Sequence, residues 1–293
     1  MRSKIFSMLV LIVMLAAFAC APVAAPVPTV ASAEVTPTAP AVPTEVPPTP
    51  TPEPKTLTVL AAASLTESFA ELGKMFEAQN PGVTVAFSFA GSQQLSEQLA
   101  QGAPADVFAS ASKKYMTAVV DAKRVNAGDS KVFVQNRLVL VFPKENPAGL
   151  VGLKDLAREG LKLVLADKAV PVGQYSLDFL DKASADAAFD KSFKDNVLKN
   201  VVSYEDNVKS VLSKVVLGEA DAGIVYVTDV SADAAGKVSK IEIPDALNTI
   251  ANYPVAPIAD GTNPELAQAF VALVLSPEGQ AVFAKHGFIP AVK

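Results

Sequence analysis

The sequence predicts an α/β protein folded as two lobes, each a mostly parallel sheet flanked by helices. Strand-like and helix-like segments alternate from residue 55 to the end, the pattern of sheets covered by helices. The helical segments carry apolar residues at the 3.6-residue period, as in Val208, Val211, Leu212, Val215 and Val216. Two extended apolar runs, Leu138 to Phe142 and Tyr253 to Ile258, read as crossings that divide the units into two clusters. The first lobe is then built from both ends of the chain, 55–137 with 256–293, and the second from 138–255.

Ahead of the lobes, Arg2 and Lys4 precede an apolar run from Ile5 to Ala19 that is short for a membrane span, so 1–19 reads as an export signal. Cys20, the one cysteine, can form no intrachain disulfide and reads as a lipidation site. Ala17-Phe18-Ala19 departs from the usual lipobox and also suits ordinary signal peptidase. One acyl chain holds a membrane only marginally, so anchoring implies several on Cys20. The rest of 20–54 is dominated by Pro, Thr, Val and Ala and has no Gly, which makes it an extended tether with a reach on the order of 100 Å.

The folded part opens with Thr58-Val59-Leu60, a short strand, then small residues and a helix with Leu65, Phe69, Leu72 and Phe76 on one face. Ser64 falls at its N-cap, and Glu67 three residues on completes a capping-box pattern. Val83 to Phe89 is a strand, and Gly91-Ser92 opens a helix through Leu95 and Leu99. A third strand, Asp106 to Ala109, leads to a helix from Lys113 to Asp121, and Lys131 to Gln135 is extended. In the second cluster Leu161 to Leu165 is a strand, Val170-Pro171-Val172-Gly173 a turn into a helix, and Val201-Val202 a short strand. Asn207 caps the next helix and Gly218 ends it. Ala222 to Val227 and Val238 to Ile243 are strands. Asn263-Pro264 and Ser276-Pro277 each place a cap before a Pro at the first helical position.

Four of these turns share one design, in which a strand ends, small residues follow and a helix begins: Ala63-Ser64, Gly91-Ser92, Val172-Gly173 and Asn207-Val208. A helix start leaves backbone N–H groups unpaired and carries roughly half a positive charge, so converging starts suit an anion. On the residues alone two readings stand, plain helix caps or an anion site. Likewise Tyr226 ends an apolar strand and reads either as core or as a hydroxyl at the rim, and Val172 and Val208 either pack or offer only their amides.

The runs AAASLTES (61–68), GAPADVFASA (102–111), VPVGQYS (170–176) and NVKSVLSKVVLGEADAGIVYVTD (207–229) resemble the extracytoplasmic molybdate-binding proteins of ABC transporters. NRLVLV (136–141) and YPVA (253–256) are similar to that family's two crossing segments, and the likeness runs in order over nearly all of 55–293. It implies the type II periplasmic-binding-protein fold, with an oxyanion held by two Ser hydroxyls, backbone amides and a Tyr hydroxyl. Carried over by position, these are Ser64, Ser92, the amides of Val172 and Val208, and Tyr226. The ligand implied is molybdate, with tungstate beside it, and no cofactor. The implied partners are a permease and its ATPase chains, the protein itself being a monomer on the outer face of the membrane.

Composition narrows the rest. With 30 acidic and 25 basic residues, net charge −5, the chain has no basic surplus for nucleic acid. His286 is the only histidine, so no His-based triad or Cys/His metal site can be assembled around a second one, and no Walker-type loop is present. These scarcities argue against an enzyme. A sulfate or thiosulfate carrier is the alternative of the same class; a hydrolase using Ser64 as nucleophile is the alternative of another, and it lacks a base. Iron(III) capture lacks an adjacent tyrosine pair. Asp106 and Asp206, near two of the turns, read as loop-orienting groups.

Overall fold

The computed structural model describes residues 54–291; the expected signal segment 1–19, Cys20 and the tether as far as residue 53 lie outside them. Strand β1 (Lys55–Ala62) is the middle strand of the parallel part of the first sheet, between β2 (Val83–Ala90) and β3 (Val107–Ala109). Alternation along β1 decides what covers it. Leu57, Val59 and Ala61 join the core with α1 (Thr66–Gln79), α8 (Pro264–Leu275) and α9 (Pro277–Lys285), whereas Leu60 joins a separate core with α2 (Ser92–Ala100) and α3 (Lys113–Asp121). Phe69 is the hub of the first face, with its ring centroid 5.9–6.1 Å from those of Phe87, Phe133, Phe270 and Phe283. Both faces are buried, as a parallel sheet requires.

The second sheet has the order β7-β6-β8-β5-β9, from β5 (Leu138–Pro143), β6 (Leu163–Ala166), β7 (Val201–Glu205), β8 (Ala222–Tyr226) and β9 (Val238–Glu242). Helices α4 (Pro171–Ala185), α5 (Phe193–Lys199) and α6 (Val208–Val216) serve it, and the short α7 (Ala232–Ala235) precedes β9. The periodic residues Val208, Val211, Leu212 and Val215 are the buried face of α6.

Parallel pairing is confined to β3-β1-β2 and β7-β6-β8. The segments that cross between lobes enter antiparallel, β5 against β8 and β9, and β10 (Ala251–Pro257) against β3 and β4 (Lys131–Asn136), with β11 (Ile289–Pro290) beyond β4. Both sheets are therefore mixed, where a mostly parallel arrangement was expected.

Arg137 alone separates β4 from β5 and makes the first crossing. The second lies earlier than expected: β10 belongs to the first sheet, so the crossing occupies 243–250, and a second lobe running to 255 extends past it. Buried Asn248 fastens the crossings together, accepting from the Leu138 N–H and donating to the Leu138 and Ile243 carbonyls at 2.9–3.1 Å. In each lobe the carboxyl ends of the parallel strands lead into the helix starts, and open α/β sheets take their ligands at such ends.

Candidate functional site

Ser92, Val172, Val208 and Tyr226 line one cavity of about 10 Å³, together with Ala63, Gly91 and Ala111. That is far smaller than the roughly 300–1,000 Å³ of ordinary organic-ligand sites. It lies between the lobes, with helix starts of both around it. No Asp, Glu, Lys or Arg is among its lining residues.

The local sequence explains why donors surround it. Val170 precedes α4 without a side-chain cap and Pro171 has no N–H, so the amides of Val172 and Gly173 have no helical partner. Gly173 is required here, because a Cβ would lie 2.0 Å from the Asp167 carbonyl oxygen. The start of α2 likewise has no side-chain cap at Gly91. At α6, Asn207 caps through Oδ1, which accepts from the Ser210 N–H at 3.0 Å, and the Val208 amide is left over. Asn207 also lines the cavity, but its Nδ2 is engaged by Asp206 at 2.8 Å.

The hydroxyls are similarly disposed. Ser92 Oγ accepts the Ala111 N–H at 3.0 Å, which leaves its proton for another acceptor. Tyr226 is buried and its Oη has no partner in hydrogen-bond geometry among the described residues, an unusual condition for a buried hydroxyl. Burial, with Tyr253, Tyr175 and Asp229 adding to it, pushes this phenol well above its ordinary range, so it remains a neutral donor.

Ser64 departs from expectation. It is buried inside a 3-10 turn, Ala63–Leu65, that precedes α1, and it caps nothing. Its Oγ lies 2.9 Å from Tyr253 Oη, and its neighbours Ala62 and Ala63, rather than Ser64, line the cavity as formed. The expected capping box is absent because Glu67 is drawn away: Lys209 Nζ of α6 donates to both carboxylate oxygens at 2.7 and 2.9 Å. Lys209 also stands 3.4 Å from Asp229, which is fully buried and accepts the Tyr226 N–H at 3.0 Å. Burial alone would lower the Lys209 pKa, but Asp229 and Glu67 outweigh it and hold the ammonium charged. Burial pushes Asp229 up to about 6, against the pull of Lys209 and the Tyr226 N–H.

Contacts of this kind hold the lobes together. Gln93 Nε2 donates to the Asp206 carbonyl at 2.8 Å, Gln94 reaches the Asp206 carboxylate at 3.3 Å, and Tyr115 Oη donates to the Ala169 carbonyl. Asp106 accepts from the Thr58 and Asn263 amides at 2.8 Å, away from the cavity, and orients loops as expected. Sequence reasoning missed Tyr253, Lys209 and Asp229. Tyr253 had one signal, a hydroxyl inside an otherwise apolar crossing run.

Two lobes that close over a small donor-lined cavity define a solute-binding protein. The chain belongs to the family of bacterial extracellular solute-binding proteins, whose model matches residues 57–289, and it functions outside the cytoplasm. It is 38% identical over 232 residues to the molybdate-binding protein ModA of Mycobacterium tuberculosis H37Rv, a match covering 79% of this chain and 84% of that protein. Among solved structures it resembles the periplasmic molybdate-binding protein of Azotobacter vinelandii, with TM-score 0.68, 22% identity and coverage of 80% and 98% of the two chains. It also resembles the sulfate-binding protein SubI of M. tuberculosis H37Rv, with TM-score 0.72, 21% identity and coverage of 81% and 87%. These two structural likenesses are matches of fold.

Gly91 meets the opposite lobe so closely that a Cβ would lie 2.5 Å from the Asp206 carbonyl oxygen. Its φ of −62° suits any residue. Gly91→Ala is therefore expected to prop the lobes apart, weakening ligand binding tenfold or more while the melting temperature of the ligand-free protein shifts little; calorimetry beside thermal unfolding checks both.

Asp229 also predicts a pH effect. Its folded pKa of about 6 lies above the unfolded value near 3.9, so the folded state binds this proton more tightly. Its contribution to stability is full below about pH 4 and is lost as pH rises through 6. The melting temperature of Asp229→Asn minus that of wild type should rise between pH 4 and 7, and a flat difference would contradict this placement of the charge.

Proposed function

We propose that this protein captures molybdate, and tungstate with it, outside the cytoplasm and delivers it to an ABC permease and its ATPase chains. One observation carries the reading: the cavity offers unspent protons on Ser92 and Tyr226 and unpaired amides at helix starts, and no acidic residue lines it. Molybdate and tungstate are fully deprotonated at neutral pH and only accept hydrogen bonds, so a ring of donors suits them. Hydrogen phosphate carries a proton that needs an acceptor, and an acidic residue placed to accept it would repel a bare dianion.

Helix starts provide the charge. Each contributes about 0.3–1 kcal/mol, rising to about 2 kcal/mol when partly buried. Direct hydrogen bonds to the anion contribute about 1.5–3 kcal/mol each. Ser92 belongs to the first lobe and Val172, Val208 and Tyr226 to the second, so the ligand bridges the lobes and favours their closure. Release at the permease then requires the lobes to part. The relatives named molybdate-binding support this choice of ligand. Anchoring through lipidated Cys20, with the Pro-rich tether holding a monomeric body near the permease, completes the proposal and rests on the sequence.

Molybdate and tungstate at a hundred times Kd should each stabilise the ligand-free protein by about 2.7 kcal/mol, with little effect from phosphate or sulfate at the same concentration. A shift with sulfate alone would transfer the reading to a sulfate carrier, and no shift with any oxyanion would remove it. Tyr226→Phe isolates one contact, because its hydroxyl has no partner among the described residues. It should weaken molybdate binding by about 1.5–3 kcal/mol while the ligand-free protein melts no lower than wild type.

A further inference from the structure

Tyr253 reaches the cavity only through another residue. It is fully buried on β10, its ring in edge contact with that of Tyr226 at a centroid distance of 5.9 Å, and its Oη lies 2.9 Å from Ser64 Oγ. Behind it stands buried Asn136, whose orientation is determined by its neighbours. Asn136 Oδ1 accepts the Arg137 N–H at 3.0 Å, so the NH₂ end faces Thr228 Oγ1 at 2.7 Å and Tyr253 Oη at 3.4 Å. Tyr253 thus receives an N–H on its oxygen and still has one proton to place. Ser64 Oγ, at 2.9 Å, is the acceptor in hydrogen-bond geometry with it.

Were Ser64 to donate to Tyr253 instead, the phenol proton would be buried without an acceptor, which is unfavourable. Burial first, with Asp229 adding to it against the hydrogen bonds of Ser64 and Asn136, pushes the Tyr253 phenol above its ordinary range, so the proton stays on the ring oxygen. With Tyr253 donating, the Ser64 oxygen acts as an acceptor and its own proton has no partner among the described residues. Ser64 adjoins Ala63, which lines the cavity.

The structure assigns Tyr253, oriented by Asn136, the role of a positioning and specificity-determining residue: its hydroxyl proton commits Ser64 to donate toward the ligand. A serine with no donor beside it can place its proton within the protein and face an O–H of the ligand. A serine that accepts from Tyr253 must place its own proton on the ligand, which favours an oxyanion with bare oxygens over one carrying a proton. Tyr253 is not among the cavity-lining residues and acts through the direction of one hydrogen bond. The inference rests on the oxyanion reading of the cavity.

Tyr253→Phe keeps the ring and removes only the hydroxyl. In the full chain at pH 7.5, calorimetry with molybdate should show Kd raised about tenfold, and inorganic phosphate should displace molybdate at a concentration at least tenfold lower than in wild type. Ser64→Ala should weaken molybdate to a similar degree, and adding Tyr253→Phe to Ser64→Ala should change Kd less than twofold, because the second hydroxyl then has nothing to direct. Additive losses in this cycle, or a molybdate-to-phosphate preference unchanged in Tyr253→Phe, would overturn the assignment, since a merely structural tyrosine gives both. Wild-type protein that binds no molybdate would overturn the oxyanion reading instead.

Discussion

A hydrogen-bond donor buried without an acceptor is destabilising, by about 1–3 kcal/mol for an ordinary group. Around one cavity this fold retains several, and the rest of the structure is arranged to keep them there. Ser92 accepts from Ala111 and keeps its own proton, Tyr226 has no partner among the described residues, and α4 begins with Pro171 and no side-chain cap. A fold selected for stability alone would satisfy or expose these groups. Their concentration at the carboxyl ends of parallel strands is the physical content of the binding site, and the flanking cores of Phe, Leu and Val tolerate that local loss.

The same requirement explains why the chain crosses twice. Donors from a single lobe could surround only half of a tetrahedral ligand, so the other half must come from a second sheet. The return strand β10 then brings Tyr253 into the first sheet, where it meets Ser64 across 189 residues of sequence. Glu67 meets Lys209 across a separation of 142. Closure needs close approach as well as attraction, and Gly91 provides it where a Cβ would strike the Asp206 carbonyl.

Much of this was legible in the sequence, and the failures have a common cause. Helix starts are largely local events: Asn207 and Ser276 cap as their patterns imply, accepting from Ser210 and Gly279, whereas Asn263, also expected as a cap, makes no side-chain cap because its Nδ2 donates to the Thr56 carbonyl. Strands were legible from apolar runs, and α3 spans Lys113–Asp121 as periodicity requires. Ser64 and Glu67 failed together because their partners, Tyr253 and Lys209, lie far away in the chain and offered stronger bonds than the local cap. The second crossing was misplaced for a related reason. An apolar extended run states that a strand is buried, not which sheet receives it, and β10 could be assigned only by its pairing with β3 and β4.

The charges near the site carry a last distinction. Lys209 is the obvious cation beside an anion cavity, yet its ammonium is held by Glu67 at 2.7 Å and faces Asp229 at 3.4 Å. Two carboxylates neutralise it before any ligand arrives, and it does not line the cavity of Ser92 and Tyr226. A free ammonium there would act as a point charge, attracting chloride, phosphate or any carboxylate with little regard for shape. Amides and hydroxyls fixed at helix starts contribute less long-range attraction but have direction, so they select by the number and geometry of the ligand's lone pairs. By pairing Lys209 with Glu67 across the lobes, the protein uses that charge for closure and leaves recognition to dipoles, which separates how firmly the cleft shuts from which oxyanion it shuts upon.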